Sequence, residues 1–186
     1  MGKVYESIDE KIEQFILNQK MFFVGTAPGS ADGHVNVSPK GLDSFRILDD
    51  HTVVYADLAG SGIETIAHVR ENARIVLMFC AFEGAPNIVR LHGRGEVVEQ
   101  GHADFDSMRA LFGTLTGLRS FIRVNCTRIS DSCGYGVPLF EFKQHRTQLV
   151  GWSTKKGAAG LKQYLREQNR HSIDGLPGIE VGDDDA

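Results

Sequence analysis

Short runs of apolar residues alternate with turn residues along the first third of this chain. The runs are "MFFVGTAP" (21 to 28), "HVNVS" (34 to 38), "FRIL" (45 to 48) and "TVVYAD" (52 to 57). Asp32-Gly33 precedes the second run, and Asp49-Asp50 precedes the fourth. Short runs with tight connections are typical of strands in an antiparallel meander. This part of the chain therefore predicts β-sheet.

Two longer strands are predicted next, at "RIVLMFCAF" (74 to 82) and "IVRLHGRGEVVE" (88 to 99), joined by the turn "EGAPN". The first is apolar at nearly every position, and such a run is typical of a strand buried on both faces. We expect further strands at about 120 to 130, 138 to 143 and 146 to 152.

Four other segments repeat their apolar residues at helical spacing. They cover about 7 to 16, 61 to 72, 102 to 112 and 157 to 169. The first two also begin with Ser followed three residues later by Glu, at Ser7 and at Ser61. This spacing is that of a capping box, in which two side chains satisfy backbone N–H groups of the first turn. We therefore expect both helices to begin at a serine cap.

Many antiparallel strands with a few helices predict a mostly β fold. A small closed or split β-barrel with peripheral helices fits best, because closure removes exposed strand edges. The 186 residues suit one core, and no Pro-, Gly- or Ser-rich linker divides them. We expect a single domain over residues 1 to 178 and an acidic, solvated tail over residues 179 to 186.

Composition excludes several classes of function. The formal charge of -4 provides no basic field for extended contact with nucleic acid. No apolar run approaches the roughly 20 residues of a membrane span, and the N-terminus lacks the apolar part of a secretory signal. We therefore expect a cytoplasmic protein. The three cysteines lack CxxC spacing and the seven histidines lack HExxH spacing, so neither disulfides nor a metal site is expected.

The stretch "NVSPKG" (36 to 41) is the first candidate for chemistry. Alternation along a strand places Asn36, Ser38 and Lys40 on one side, with Val35 and Val37 toward the core. A hydroxyl donor at Ser38 and a cation at Lys40 both suit a phosphate. A solvated outer strand face that ends in a turn explains the same residues.

The stretch "LAGSGIET" (58 to 65) is the second candidate, because a Gly-rich turn into a helix presents free N–H groups to an anion. Ser61 and Thr65 add hydroxyls, although a capping box also accounts for Ser61. The spacing is neither that of a Walker A loop nor GxGxxG.

Three further positions carry groups that could meet a ligand. Arg90 lies in the basic strand "RLHGRG", where ion pairs are the alternative. Cys133 lies in "DSCGYGVP", where a half-buried thiol in a turn is the alternative to a nucleophile. Trp152, in "GWSTKKG", could stack on an aromatic ligand or fill the core.

Three of these stretches occur in succession, as "HVNVSPKG", "TVVYADLAGSGIETIAHVRENARIVLMF" and "IVRLHGRGEVV". This succession resembles the pyridoxamine 5'-phosphate oxidase family, and within it the related flavoproteins with an FMN-binding split barrel. The resemblance extends over about residues 20 to 178.

The resemblance implies a homodimer with an FMN in each groove between two barrels. It implies that the cofactor is contacted by Asn36, Val37, Ser38, Pro39, Lys40, Tyr55, Ala56, Ser61, Thr65, Val89, Arg90, Cys133 and Trp152. Within this set it assigns Ser38 and Lys40 to the phosphate, and it assigns the segments around Cys133 and Trp152 to the partner subunit.

The chain departs from the family pattern at two places. Glu64 and Thr65 stand where the family has an Arg-Lys pair at the phosphate. Lys40 is therefore expected to supply more of the positive charge that binds the phosphate. The chain ends "SIDGLPGIEVGDDDA" and lacks the Arg-x-His signature for a substrate phosphate. Pyridoxamine phosphate is therefore not the expected substrate.

The resemblance implies an FMN-dependent oxidoreductase that transfers hydride to or from a small molecule. No side chain is identified as an acid or base, so the flavin supplies the redox chemistry. The missing substrate signature also leaves a second hypothesis, a non-catalytic protein that binds or stores a flavin, haem or pyridoxal phosphate. The sequence does not distinguish FMN from a deazaflavin.

Overall fold

The computed structural model of the chain describes residues 2–181. Its strands are Val4–Tyr5 (β1), Phe22–Thr26 (β2), Asn36–Lys40 (β3), Phe45–Ile47 (β4), Thr52–Leu58 (β5), Arg74–Cys80 (β6), Ile88–Glu99 (β7) and Leu118–Ser132 (β8). Its helices are Glu10–Asn18 (α1), Glu64–Asn72 (α2), Phe105–Ala110 (α3) and Gln148–Gln168 (α4).

All strand pairs are antiparallel, in the order β3-β2-β6-β7-β8-β5-β4, with β1 added to β8. The sheet is curled. Phe22 of β2 and Phe45 of β4, which are far apart in the strand order, meet inside it with ring centroids 5.4 Å apart. This half-barrel confirms the predicted mostly β fold with peripheral helices. Curling brings the edge strand β3 close to β5, and the candidate site forms there.

The main core fills the concave side of the sheet. Tyr55, Phe79 and Leu77 are fully buried there, and Phe22 packs edge-on against Tyr55. A smaller cluster lies beyond β5 and β8, where Phe121 contacts Phe105 and Phe112 near α3. Successive side chains of β5 point to opposite faces of the sheet, so Tyr55 packs in the first cluster and Ala56 in the second.

The outer face of the sheet corrects two expectations. Val35 and Val37 do not reach the core: they are 73% and 64% exposed, and the polar side of β3 faces inward instead. β6 is not buried on both faces either, since Val76 and Met78 are only half-buried. These apolar side chains point away from the core in a single chain, so the continuous apolar pattern indicates a surface rather than a second layer.

Neither predicted serine cap forms. Asp9 caps α1 by accepting a hydrogen bond from the Ile12 N–H at 2.9 Å. At α2 the N-cap position is Ile63, which has no side-chain acceptor. Ser61 lies in the preceding turn instead, where its backbone carbonyl accepts a hydrogen bond from Asn169.

The C-terminal region also differs from the predicted strands. Residues 138 to 143 form no strand, and 146 to 152 fall largely in α4, which begins nine positions before the predicted start at 157. Gly157 is a kink within α4, with φ +64°. Ile179 is buried, so the folded chain continues past the predicted domain end, while residues 182 to 186 lie outside the described part. Among residues 2–181, no helix is both long and apolar enough to cross a membrane.

Candidate functional site

The inward side of β3 carries three polar side chains at alternating positions. Asn36 donates from Nδ2 to the hydroxyls of Thr26 (3.2 Å) and Thr65 (3.0 Å). Ser38 donates to Asn36 Oδ1 at 3.2 Å. Thr26 lies on β2 and Thr65 in the first turn of α2, so this network ties the edge strand to the helix.

Lys40, the third polar residue, belongs to a buried ionic cluster. Its Nζ lies 3.1 Å from Asp57 Oδ1, and Arg119 Nε lies 2.6 Å from Asp57 Oδ2. Asp57 is completely buried, the Arg119 side chain is 3% exposed and the Lys40 side chain is 22% exposed. Burial alone would raise the pKa of Asp57, but the charges of Arg119 and Lys40 outweigh it and lower that pKa.

This ionic cluster carries a net positive charge. Two cations share one carboxylate, so the cluster holds one positive charge in excess at neutral pH. Arg119 is almost enclosed and also binds Asn169 Oδ1 at 2.8 Å. Lys40 is therefore the cation that can reach a ligand, and its single ion pair with Asp57 leaves N–H donors available.

A cavity of about 620 Å³ opens beside Lys40. It lies between the segment that follows β3 and the segment that leads into α4, with the end of β5 as its floor. Lys20, Lys40 and Arg146 contribute positive charge to the wall, and His145 contributes an imidazole. The rest of the wall is largely apolar, and such a cavity has the size and character of a small-molecule site.

Three of the predicted residues line this cavity, namely Pro39, Lys40 and Ala56. Two smaller cavities, of about 390 and 450 Å³, contain none of the predicted residues. The largest of these three cavities is therefore also the one that contains residues of the predicted set.

The N-terminus of α2 lies on the inner side of the same region. Its cap residue Ile63 offers no acceptor, and its second residue, Thr65, is buried beside β3. Tyr55 is also fully buried, and among residues 2–181 its hydroxyl has no hydrogen-bond partner. Burial, followed by the negative charge of Asp57, raises the pKa of Tyr55, so this phenol stays protonated.

The remaining predicted residues are spread over the molecule. Val37 is exposed on the outer face of β3, Ser61 is exposed in the turn before α2, and Val89 is buried in the core. Arg90 donates to the Ser132 hydroxyl at 2.9 Å on the outer side of the sheet. Cys133 is exposed. Trp152 lies on α4 with its ring edge-on to Tyr164 at 4.9 Å.

The sequence prediction missed the groups that hold Lys40. Asp57 interrupts an apolar strand pattern, and that break was the available signal. Arg119 and Asn169 had no local signal, because they meet Asp57 and the turn at 60 to 61 only through long-range contacts. His145 lies between the strands predicted at 138 to 143 and 146 to 152, and Arg146 begins the second of them, so the pattern assigns neither residue to a site.

A model of the pyridoxamine 5'-phosphate oxidase family matches residues 8–133. The pyridoxamine 5'-phosphate oxidase family protein ustO of Aspergillus flavus is 35% identical over 194 residues, which cover 94% of this chain and 77% of that protein. The chain belongs to the pyridoxamine 5'-phosphate oxidase family. Its described secondary structure agrees with that membership, since β2 to β8 span most of the matched residues.

Solved structures show the same fold. Group A Streptococcus HupZ aligns with a TM-score of 0.51 at 24% identity, over 66% of this chain and 91% of that one. An FMN-binding protein from Syntrophomonas wolfei aligns with a TM-score of 0.51 at 17% identity, over 64% of this chain and 82% of that one. The half-barrel is therefore the split-barrel fold of this family.

The residues at the site fit an FMN, the cofactor that the fold implies. The cavity combines a largely apolar wall with the cations of Lys20, Lys40 and Arg146, and such donors suit an aromatic ring that carries a phosphate. The positions that depart from the family's Arg-Lys pair are engaged within the chain: Glu64 accepts from the Ile173 N–H at 3.3 Å, and Thr65 accepts from Asn36. Lys40 is the cation on the inward side of β3 that lines the cavity.

Proposed function

We propose that the protein is an FMN-dependent oxidoreductase that acts on a small molecule by hydride transfer. The observation that carries the proposal is the cavity of about 620 Å³ whose wall joins apolar side chains to Lys40, itself held by buried Asp57. A flat aromatic ring with an anionic tail matches such a wall in both shape and charge. Family membership and the FMN-binding neighbour support the choice of cofactor.

Each part of the cavity has a separate task in this proposal. The Lys40 ammonium donates to the phosphate, while Asp57 and Arg119 keep that ammonium in place. Pro39 and Ala56 border the ring and exclude water from one side. Bound FMN supplies the hydride-accepting atom, and no side chain of the chain needs to serve as acid or base.

The catalytic part of the proposal is tested by anaerobic reduction of the FMN-loaded protein. We expect at least one hydride donor from a panel that includes reduced nicotinamides to bleach the visible flavin absorbance faster than it bleaches free FMN. Oxygen or another acceptor should then restore the absorbance over repeated cycles. Bleaching no faster than that of free FMN across the panel would favour binding or storage without turnover.

We also propose that two chains pair through the outer face of β3, β2 and β6, and that this pairing closes the FMN groove. Register places Val37, Gly25 and Val76 in one row across these strands, and Pro39, Phe23 and Met78 in the next. These rows form an apolar surface on a strand edge, and such surfaces mark interaction sites. Pro39 belongs to this surface and to the cavity wall, so a second chain on the surface would reach the cavity.

Val37→Glu tests the pairing. Val37 is 64% exposed in the single chain, so the substitution should leave the fold intact while placing a charge in the interface. We expect light scattering coupled to size exclusion to show a dimer for the wild type and a shift toward monomer for the variant, with weaker FMN binding. Leu17→Glu, on α1 and 53% exposed, is the control and should remain dimeric. A dimeric Val37→Glu protein would exclude this face.

A further inference from the structure

The polar groups on the inward side of β3 form one continuous chain of hydrogen bonds. It runs from the Ser38 hydroxyl to the Asn36 amide, from that amide to the Thr26 hydroxyl, and from Thr26 to Nδ1 of His68 on α2. The last contact measures 3.0 Å. Because each hydroxyl has one proton, the direction of one bond constrains the direction of the next.

The Asn36 amide sets that direction. Its Nδ2 faces two hydroxyl oxygens, those of Thr26 and Thr65, and an NH₂ group can only donate. The Thr26 oxygen therefore accepts from Asn36 and keeps its own proton for another partner. On the opposite side, Asn36 Oδ1 can only accept, so Ser38 must donate to it.

His68 is suited to end the chain as an acceptor. The residue is fully buried, and burial lowers its pKa, so the ring is neutral at neutral pH and one ring nitrogen carries no proton. Its Nε2 is buried without a hydrogen-bond partner among residues 2–181, so the contact at Nδ1 decides the tautomer. Nδ1 then accepts the Thr26 proton, and the hydrogen of the ring resides on Nε2.

The consequence concerns Ser38, which is half-buried and directly precedes Pro39 and Lys40 in the wall of the cavity. Its single proton is committed to Asn36, so only oxygen lone pairs remain for any other partner. We infer that Ser38 is a hydrogen-bond acceptor that selects an N–H or O–H group of the ligand, and that it does not hold the phosphate. This reverses the donor role that the sequence predicts for Ser38.

The inference deepens the proposed FMN site and rests on it for the identity of the ligand. Ser38 and Lys40 lie two positions apart on one strand face, or about 7 Å along the strand. Lys40 offers donors and positive charge, whereas Ser38 offers lone pairs. One strand face thus separates the anionic end of a ligand from a part that carries donors, such as a ring imide or a sugar-alcohol chain.

Parallel titrations with FMN and riboflavin test this division of roles, because the two ligands differ only by the phosphate. For Ser38→Ala we expect both affinities to fall by a similar factor, about three- to tenfold for one neutral hydrogen bond. Ser38→Thr keeps the hydroxyl and should restore both. Lys40→Ala is the contrasting variant and should weaken FMN much more than riboflavin. Loss of FMN affinity alone in Ser38→Ala, or no change for either ligand, would overturn the inference.

The hydrogen-bond direction itself can be measured in the flavin-free protein. The ¹⁵N chemical shifts of the His68 ring distinguish the two neutral tautomers, and His68→Gln identifies the signals. We expect Nδ1 to be unprotonated and Nε2 to carry the hydrogen. A hydrogen on Nδ1 would reverse the chain and overturn the inference. If the wild type bound neither FMN nor riboflavin, the proposed function would fail, while the tautomer would still decide the role of Ser38.

Discussion

Arg119→Met is expected to lower the free energy of unfolding by about 3 to 5 kcal/mol, the usual cost of removing one partner of a buried ion pair. Asp57 is completely buried and accepts from Arg119 Nε at 2.6 Å. Methionine has a similar length and keeps most of the packing, so the loss reports on the charge. Lys40 remains beside Asp57 but is partly exposed and compensates incompletely. Urea unfolding followed by circular dichroism measures the difference.

Arg123→Met is the matched control on the same strand. Arg123 pairs with Glu96 and Asp104, but all three side chains are substantially exposed. Exposed pairs contribute about 0 to 1 kcal/mol, so this variant should remain close to the wild type. Equal losses in the two variants would show that Asp57 does not depend on Arg119.

The effect of Arg119→Met should also depend on pH. In the wild type the pKa of Asp57 is lowered, so its contribution to stability is present above the unfolded-state pKa and is lost as pH falls through the folded-state value. Without Arg119, the effect of burial dominates and raises that pKa. The variant can then relieve its buried charge by protonation, so the gap to the wild type should begin to narrow above the unfolded-state pKa of about 4 and should narrow further below it, where the wild type loses its own contribution.

Lys40→Ala is expected to weaken FMN binding by at least about tenfold. A charge-assisted contact contributes about 1.5 to 3 kcal/mol, which corresponds to a factor of about 10 to 100 or slightly more. Asp57 keeps its bond to Arg119 in this variant, so the fold should survive. Quenching of flavin fluorescence during titration measures the affinity, and thermal unfolding without FMN verifies the fold.

Lys11→Ala provides the control for the loss of one positive charge. Lys11 is exposed on α1 and lines none of the three cavities described above. The FMN affinity of the Lys11→Ala variant should equal that of the wild type within a factor of about two. If the Lys40→Ala variant bound FMN as tightly as the Lys11→Ala variant, Lys40 would not be part of the FMN site.

Local patterns predicted the sheet well because most strands are short, alternate in polarity and follow recognisable turns. The polar residues Asn36, Ser38 and Lys40 were also placed correctly on one side of β3. Which side faced inward was not predictable, because the inner surroundings come from Thr65 and Asp57, which are distant in sequence. A strand with valines on one side is normally assigned with those valines inside.

The predictions for the C-terminal strands and for the two serine caps were wrong. "GWSTKKG" carries helix-breaking glycines at both ends, yet the structure continues α4 through it and kinks at Gly157. The serine caps failed because Asp9 competes with Ser7, and because Asn169 binds the carbonyl groups of the turn that contains Ser61. A contact between residues far apart in sequence decided the case of Ser61, whereas the cap of α1 was decided locally by Asp9.

Titration of FMN into the purified wild-type protein tests the account most directly. We expect saturable binding with quenched flavin fluorescence, a shifted visible absorption spectrum and a higher unfolding temperature in the presence of excess FMN. A colourless protein that takes up no FMN, and whose unfolding temperature FMN leaves unchanged, would contradict the proposal that the cavity beside Lys40 is a flavin site.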